Sequence, residues 1–302
     1  MASLSDRSVI CKCSTELSCR NDEFHNRETP QSMQFRIPKR IIQTGKSACH
    51  PLRIRAMVSN LRLLNPDYEY LFFDDEGVKT FFDREFPQYR AVFDSFPFPI
   101  QRYDFFRYLA VYVYGGFYFD LDVLLASDLS GLLERGCVFP FEGLTFSHFL
   151  RNDLGMDWQI GNYAFGAAPG HPFLKALIEN CVKAQKDPGW SKPLMRGFTP
   201  FFRNESIILN TTGPGMASRT LAENSELAKM VTVLFPDGMD VCELDSWNRF
   251  GDLGVHLMDG AWRANSSFLR RRLSLYWEAW RLQNLTQRSA RLGKTRHHDT
   301  SS

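Results

Sequence analysis

No run of about eighteen apolar residues, the minimum for a transmembrane helix, occurs anywhere in the 302-residue chain. The first thirty or so residues lack the apolar centre of a secretion signal, so an ordinary signal peptide is not expected there. There is no internal repeat and no low-complexity tract, which excludes solenoids and propeller arrays. Charge is nearly balanced, with a formal net of +2, and that offers no general affinity for nucleic acid. Cysteine is sparse and odd in number: Cys11, Cys13, Cys19, Cys49, Cys137, Cys181 and Cys242. The first three form C-x-C-x5-C, but no second cluster completes a zinc site, so the set reads as reduced thiols.

Apolar and aromatic residues are plentiful, at 44% and 14%, the composition of a globular protein. Phenylalanine reaches 26 copies, crowded between Phe72 and Phe149, and this block is the expected core. Residues 1–34 read as a disordered leader and residues 35–265 as one catalytic domain. Residues 266–302 read as a tail whose Phe268–Leu292 stretch forms a basic amphipathic helix with Trp277 and Trp280 on one side. Such a helix suits an anionic membrane surface or a docking place on the core. N-x-S/T triplets at Asn204, Asn210, Asn265 and Asn284 permit a secretory lumen.

The periodicity predicts a first strand within 36–45 and a helix over 51–64, stopped by Asn65-Pro66. A strand over 68–73 and a helix over 76–86 follow. That order argues for a doubly wound, mostly parallel α/β sheet flanked by helices. A strongly apolar helix over 101–114 ends at Gly115-Gly116. A strand over 117–125 comes next, then a helix over 172–184, a Gly/Pro turn at 213–215 and a late strand over 230–235.

The strand over 117–125 is apolar except for Asp120 and Asp122. Residues two apart in a strand share a face, so the two carboxylates are expected side by side at the carboxyl end of a buried strand. Two close buried carboxylates call for a cation. A hard divalent ion, Mn2+ or Mg2+, fits them and binds a diphosphate as well. In the preceding helix Asp104 and Arg107 lie at i and i+3. They read either as an intrahelical ion pair or as a grip on a donor: a guanidinium fork for phosphate, a carboxylate for a sugar or ribose hydroxyl.

The run Phe93-Asp-Ser-Phe-Pro-Phe-Pro-Ile-Gln-Arg-Tyr-Asp-Phe-Phe-Arg-Tyr108, followed by Gly115-Gly-Phe-Tyr-Phe-Asp-Leu-Asp122, resembles the signature of D-x-D glycosyltransferases. The wording is similar to that of initiation-type α-1,6-mannosyltransferases and mannosyl-inositol-phosphorylceramide synthase catalytic subunits. The resemblance runs from about Ile37 to Trp262. It takes in Ile37-Pro-Lys39 with Gln43, Asn65-Pro66, Pro169-Gly-His-Pro-Phe173, Thr212-Gly-Pro214 and a late His256 and Trp262, and departs from the ceramide-linked enzymes at Gln159-Ile-Gly-Asn162. It implies a GT-A fold and transfer with retention of anomeric configuration. Asp120, Asp122 and Arg107 would be catalytic. Gln43, Asp104, Arg107, Asp120 and Trp262 would bind the donor, and Asp122, Asp120 and His256 would hold the metal. His256 reads nearly as well as a core residue, and Trp262 reads more readily as core than as a ligand contact. The implied donor is GDP-mannose, with a UDP-sugar as the alternative. The implied acceptor is a glycan or glycolipid hydroxyl, at a Golgi or other secretory membrane, with the cytoplasm as the alternative compartment. Two further readings of the D-x-D remain: a haloacid-dehalogenase-type phosphatase and a non-catalytic sugar-binding relative.

Overall fold

The computed structural model describes residues 35–198, 202–235 and 249–257. The expected leader and basic C-terminal helix therefore lie outside the described residues.

Strand β1 (Arg40–Thr44) leads to helix α1 (Leu52–Leu64), strand β2 (Glu69–Phe73) and helix α2 (Asp75–Glu85). Asp74 caps α2 by accepting a hydrogen bond from the Gly77 N–H at 2.8 Å, satisfying one of the unpaired donors of the first turn. After α3 (Arg90–Ser95), α4 (Pro99–Tyr114) carries Pro at its first position, where the missing N–H costs nothing. It ends at Gly115 with φ +63. Every residue from Asp104 to Val111 is buried, so α4 runs through the interior rather than over the surface.

Strand β3 (Gly116–Phe119) pairs parallel with β1, and β1 pairs parallel with β2. This is the doubly wound half that the sequence order predicts. Its register depends on Gly116 at φ +105, where a Cβ would stand 2.6 Å from the Arg40 carbonyl oxygen. Next come β4 (Val123–Leu125), β5 (Cys137–Leu144), β6 (Trp158–Ile160) and β7 (Ala164–Ala167). Helices α5 (Pro172–Lys186), α6 (Pro188–Ser191), α7 (Arg203–Thr211), α8 (Pro214–Glu223) and α9 (Ser225–Lys229) follow, then strands β8 (Thr232–Leu234) and β9 (Gly254–His256). The main sheet has the order β2-β1-β3-β7-β5-β6, with β8 beside β5. β7 is antiparallel to both β3 and β5, while β8 is parallel to β5.

β3 is buried on both faces. Tyr118 joins the larger cluster under α2, α4 and α5, while Phe117 and Phe119 join Ile41, Leu61 and Phe250 on the other side. The phenylalanines crowd the larger cluster, with Phe81, Phe82, Phe93, Phe105 and Phe106 in mutual ring contact. Burying one such ring contributes about 1.5–3 kcal/mol.

Two expectations need correction. The single strand over 117–125 is two strands, broken at Asp120–Asp122, where the Val123 N–H donates to the Asp120 carbonyl at 3.3 Å. Gly213-Pro214-Gly215 is the start of α8, with Pro214 at its first position, rather than a free turn.

Candidate active site

The break after β3 positions the acidic pair. The Asp120 N–H donates to the Tyr163 carbonyl at 2.7 Å, which ends the β3–β7 ladder there. The chain turns through Leu121 and resumes as β4, which pairs antiparallel with β9 and sets Val123 opposite His256. The Leu257 N–H then reaches the Asp122 carbonyl at 2.9 Å. A residue more than 130 positions downstream is thereby fixed beside the D-x-D by backbone hydrogen bonds.

Ligand atoms of Asp120, Asp122 and His256 all lie within 4.8 Å of one another. His256 Nε2 is 3.3 Å from Asp122 Oδ1, and its ring stacks on Tyr163 with centroids 4.3 Å apart. Two carboxylates and an imidazole suit a divalent ion that accepts oxygen and nitrogen ligands. The Asp122 and His256 side chains are 14% and 17% exposed, sheltered yet reachable. Burial alone would lower the His256 pKa; the hydrogen bond and charge of Asp122, then Asp120, outweigh it and raise the value.

A second layer lies behind the pair. Arg107 is buried within α4, and its Nη2 stands 3.2 Å from both Asp104 Oδ1 and Asp120 Oδ1. Nη1 donates to the Asn162 carbonyl at 2.8 Å, and the guanidinium carbon sits 4.7 Å from the Tyr118 ring centre. Asp104 also accepts from Asn162 Nδ2 at 3.1 Å and Thr212 Oγ1 at 2.9 Å. Tyr118 donates its hydroxyl proton to Asp120 Oδ1 at 2.8 Å. Desolvation raises the pKa values of Asp104 and Asp120, and in both Arg107 opposes it. For Arg107 itself burial disfavours the charge, but Asp120, Tyr118 and Asp104 outweigh that and its pKa rises. The guanidinium is held charged.

Asp104 and Arg107 are an ion pair within α4, buried at 3% exposure each, and Arg107 extends it to Asp120. They form a buried hub that orients Asp120. Gln43, named above for donor contact, is also turned inward at 1% exposure. Its Nε2 donates to the Phe119 and Asp120 carbonyls at 3.3 and 3.4 Å, and its Oε1 accepts from Tyr70. Trp262 lies outside the described residues.

Asn162, Thr212, Tyr118 and Tyr163 also build the site. Tyr118 and Thr212 lie in segments that carry the family resemblance, which gives them no role, and Asn162 and Tyr163 lie at or beside the stretch where the chain departs from it. Asn162 and Thr212 carried one usable signal, an amide and a hydroxyl set in apolar or glycine-rich surroundings. The triplet at Asn210 is buried inside α7, its Nδ2 donating to the Ser206 carbonyl, so no glycan fits there, whereas Asn204 is exposed.

Residues 51–139 match the family described as the glycosyltransferase sugar-binding region containing the DXD motif. Inositol phosphoceramide mannosyltransferase 3 of Schizosaccharomyces pombe is 33% identical over 159 residues, 53% of this chain and 41% of its own. Mannosyl phosphorylinositol ceramide synthase SUR1 of Saccharomyces cerevisiae is 31% identical over 212 residues, 69% of this chain and 48% of its own. Among solved structures, the PaToxG glycosyltransferase aligns with a TM-score of 0.43 at 16% identity, covering 64% of this chain and 74% of that one. The chain spans about half the length of the curated relatives it matches. The D-x-D turn, set against a strand-borne histidine and a buried Asp-Arg hub, thus lies within residues 51–139, the part of the chain that matches the DXD-containing sugar-binding region of glycosyltransferases.

Proposed function

We propose that the protein is a metal-dependent, retaining hexosyltransferase that moves α-mannose from GDP-mannose to a hydroxyl of a glycan or an inositol-phosphorylceramide-like glycolipid. The carrying observation is the convergence of Asp120, Asp122 and His256 on one point. Asp120, Asp122 and His256 would hold Mn2+ or Mg2+, and the ion supplies Lewis-acid stabilisation of the negative charge on the departing nucleoside diphosphate. Arg107, with Asp104 and Asn162 behind it, opposes the desolvation of the Asp120 carboxylate and aims it. Tyr118 fixes one Asp120 oxygen and leaves the other for a ligand. Gln43 acts by holding the carbonyls at the end of β3, and Tyr163 supports the His256 ring.

Similarity to proteins named for mannosyl transfer to inositol phosphoceramide supports the donor and the acceptor class. By the same likeness the enzyme works at a Golgi or other secretory membrane. In this reading residues 35–265 form the GT-A domain, residues 1–34 a leader and residues 266–302 a basic membrane-facing tail.

Manganese-dependent release of GDP from GDP-mannose, slow without acceptor and well above release of UDP from UDP-glucose or UDP-galactose, is the expected result. Guanine and uracil present different hydrogen-bond edges, and each buried polar group left unpaired by the wrong base costs about 1–3 kcal/mol. Faster turnover of a UDP-sugar overturns the mannose assignment. Phosphatase activity abolished by Asp120→Asn, with no turnover of any nucleotide-sugar, overturns the transferase reading itself.

A further inference from the structure

Among the described residues, a cleft of ≈ 1120 Å³ opens between the α3–α4 junction, the end of α5, residues 188–196 and helix α7. Its walls are largely apolar, formed by the prolines of residues 188–193 and by Ile207. Three cations stand among its lining residues, Lys192, Arg196 and Arg203, and no carboxylate does. Arg196 has a long contact with Asp153, at 3.9 Å with both side chains mostly exposed, which is worth little. Like charges gathered at one cleft raise its potential and are relieved by an anion.

The cleft shares a wall with the site. Gln101 Nε2 donates to Thr211 Oγ1 at 2.7 Å along the cleft. The next residue, Thr212, donates to Asp104 Oδ2 at 2.9 Å. One hydrogen-bonded layer therefore separates the cleft from the hub that aims Asp120.

We infer that this cleft binds a phosphate-bearing lipid, its phosphate on Lys192, Arg196 and Arg203 and the start of its tail along the proline wall and Ile207. Two guanidinium forks and an ammonium match the several oxygens of a phosphate better than the two of a carboxylate. The volume is at or above the upper end of small-molecule sites, about 300–1,000 Å³, far more than a free phosphate fills. Apolar lining would be an unsuitable wall for an inorganic ion, and it is what a lipid tail needs. The lipid seated here is held one buried layer from the donor's metal site, a second site beside the one that the transferase reading uses.

The test is isothermal titration of the full chain with a short-chain phosphatidylinositol kept below its micelle concentration, so that adsorption to a membrane surface plays no part. The wild type is expected to bind one equivalent, more tightly than it binds inositol phosphate without a tail. The variant Lys192→Gln/Arg196→Gln/Arg203→Gln should lose roughly 100-fold in affinity, since each basic residue facing an anionic lipid contributes about tenfold or somewhat less. Its thermal midpoint reports that it is folded. Ile207→Gln should weaken the lipid while leaving inositol phosphate unchanged. Equal lipid affinity in wild type and triple variant overturns the inference, and so does equal affinity for lipid and tail-less phosphate. Thermal shift with GDP-mannose and Mn2+ separates the two readings. Donor binding without lipid binding overturns the cleft alone, and lipid binding without donor binding overturns the transferase reading and leaves the cleft in place.

Discussion

Replacing Arg107 by Lys asks whether this residue is a helix ion pair or the hub of the site. The substitution keeps the positive charge and removes the fork. In the structure the fork spends Nη1 on the Asn162 carbonyl and Nη2 on both Asp104 and Asp120. A single ammonium on a shorter, differently branched stem cannot meet all three from the same place. The Asn162 carbonyl then loses its donor while buried, at about 1–3 kcal/mol, whereas Asp104 Oδ1 and Asp120 Oδ1 keep Asn162 Nδ2 and the Tyr118 hydroxyl. That cost, roughly 1–3 kcal/mol, compares with a total stability of about 5–15 kcal/mol for a domain. At about 2–4 °C per kcal/mol for a domain of this size, the thermal midpoint should fall by roughly 2–12 °C. Arg107→Met should be worse, because removing one partner of a buried charge group costs about 3–5 kcal/mol. Manganese affinity should fall with it, since Asp120 loses its aim. Urea unfolding followed by circular dichroism, with manganese titration of the same samples, measures both quantities. An Arg107→Lys protein that melts within a degree of wild type and binds manganese equally would refute the hub. The pair would then be worth only the 0.3–0.5 kcal/mol or so of an exposed helical ion pair.

Other outcomes follow from the same coordinates. Asp122→Asn is nearly isosteric, so the midpoint should hold while turnover falls roughly 100-fold or more and manganese binding weakens; near-normal turnover would remove Asp122 from the metal site. His171 caps α5 through Nδ1, accepting from the Phe173 N–H at 3.3 Å, and burial lowers its pKa from 6.5 to about 4. The neutral ring is the native form, so its contribution is complete above pH 6.5 and is lost as pH falls toward 4, about 3 kcal/mol at roughly 1.36 kcal/mol per pH unit. His171→Asn, which keeps a cap, should flatten that acid limb in urea melts taken across the range. The Tyr163 hydroxyl is buried without a hydrogen-bond partner among the described residues, so Tyr163→Phe should leave stability equal or higher in thermal melts. Gly116→Ala sets a Cβ 2.6 Å from the Arg40 oxygen at φ +105, and should cost more than about 2 kcal/mol in the same measurement.

Much of this protein could be read from residue order alone, for reasons that are local. Helices α1, α2, α4 and α5 declare themselves through apolar spacing, capping residues and stop signals within a dozen positions of each other. Strands β1 and β2 do so through short β-branched or aromatic runs bounded by glycine or aspartate. The D-x-D is conspicuous because two acids interrupt an apolar run, and the family resemblance rests on such contiguous words. The tertiary structure decided what depends on distant partners. The run 117–125 looks continuous, yet it breaks at Asp120, because the Tyr163 carbonyl takes the Asp120 N–H and β9 claims β4. His256 had no local mark separating a ligand from a core residue, and a three-residue ladder to Val123 is what brings it to Asp122. Asp104 and Arg107 read as an intrahelical i, i+3 pair or as a grip on a donor. Their burial follows from α4 being covered on every side, and their partners Asn162 and Thr212 lie more than fifty residues away. Periodicity reports which face of an element is apolar. Which elements cover it, and which polar group waits on the other side, is settled only when the chain has closed on itself.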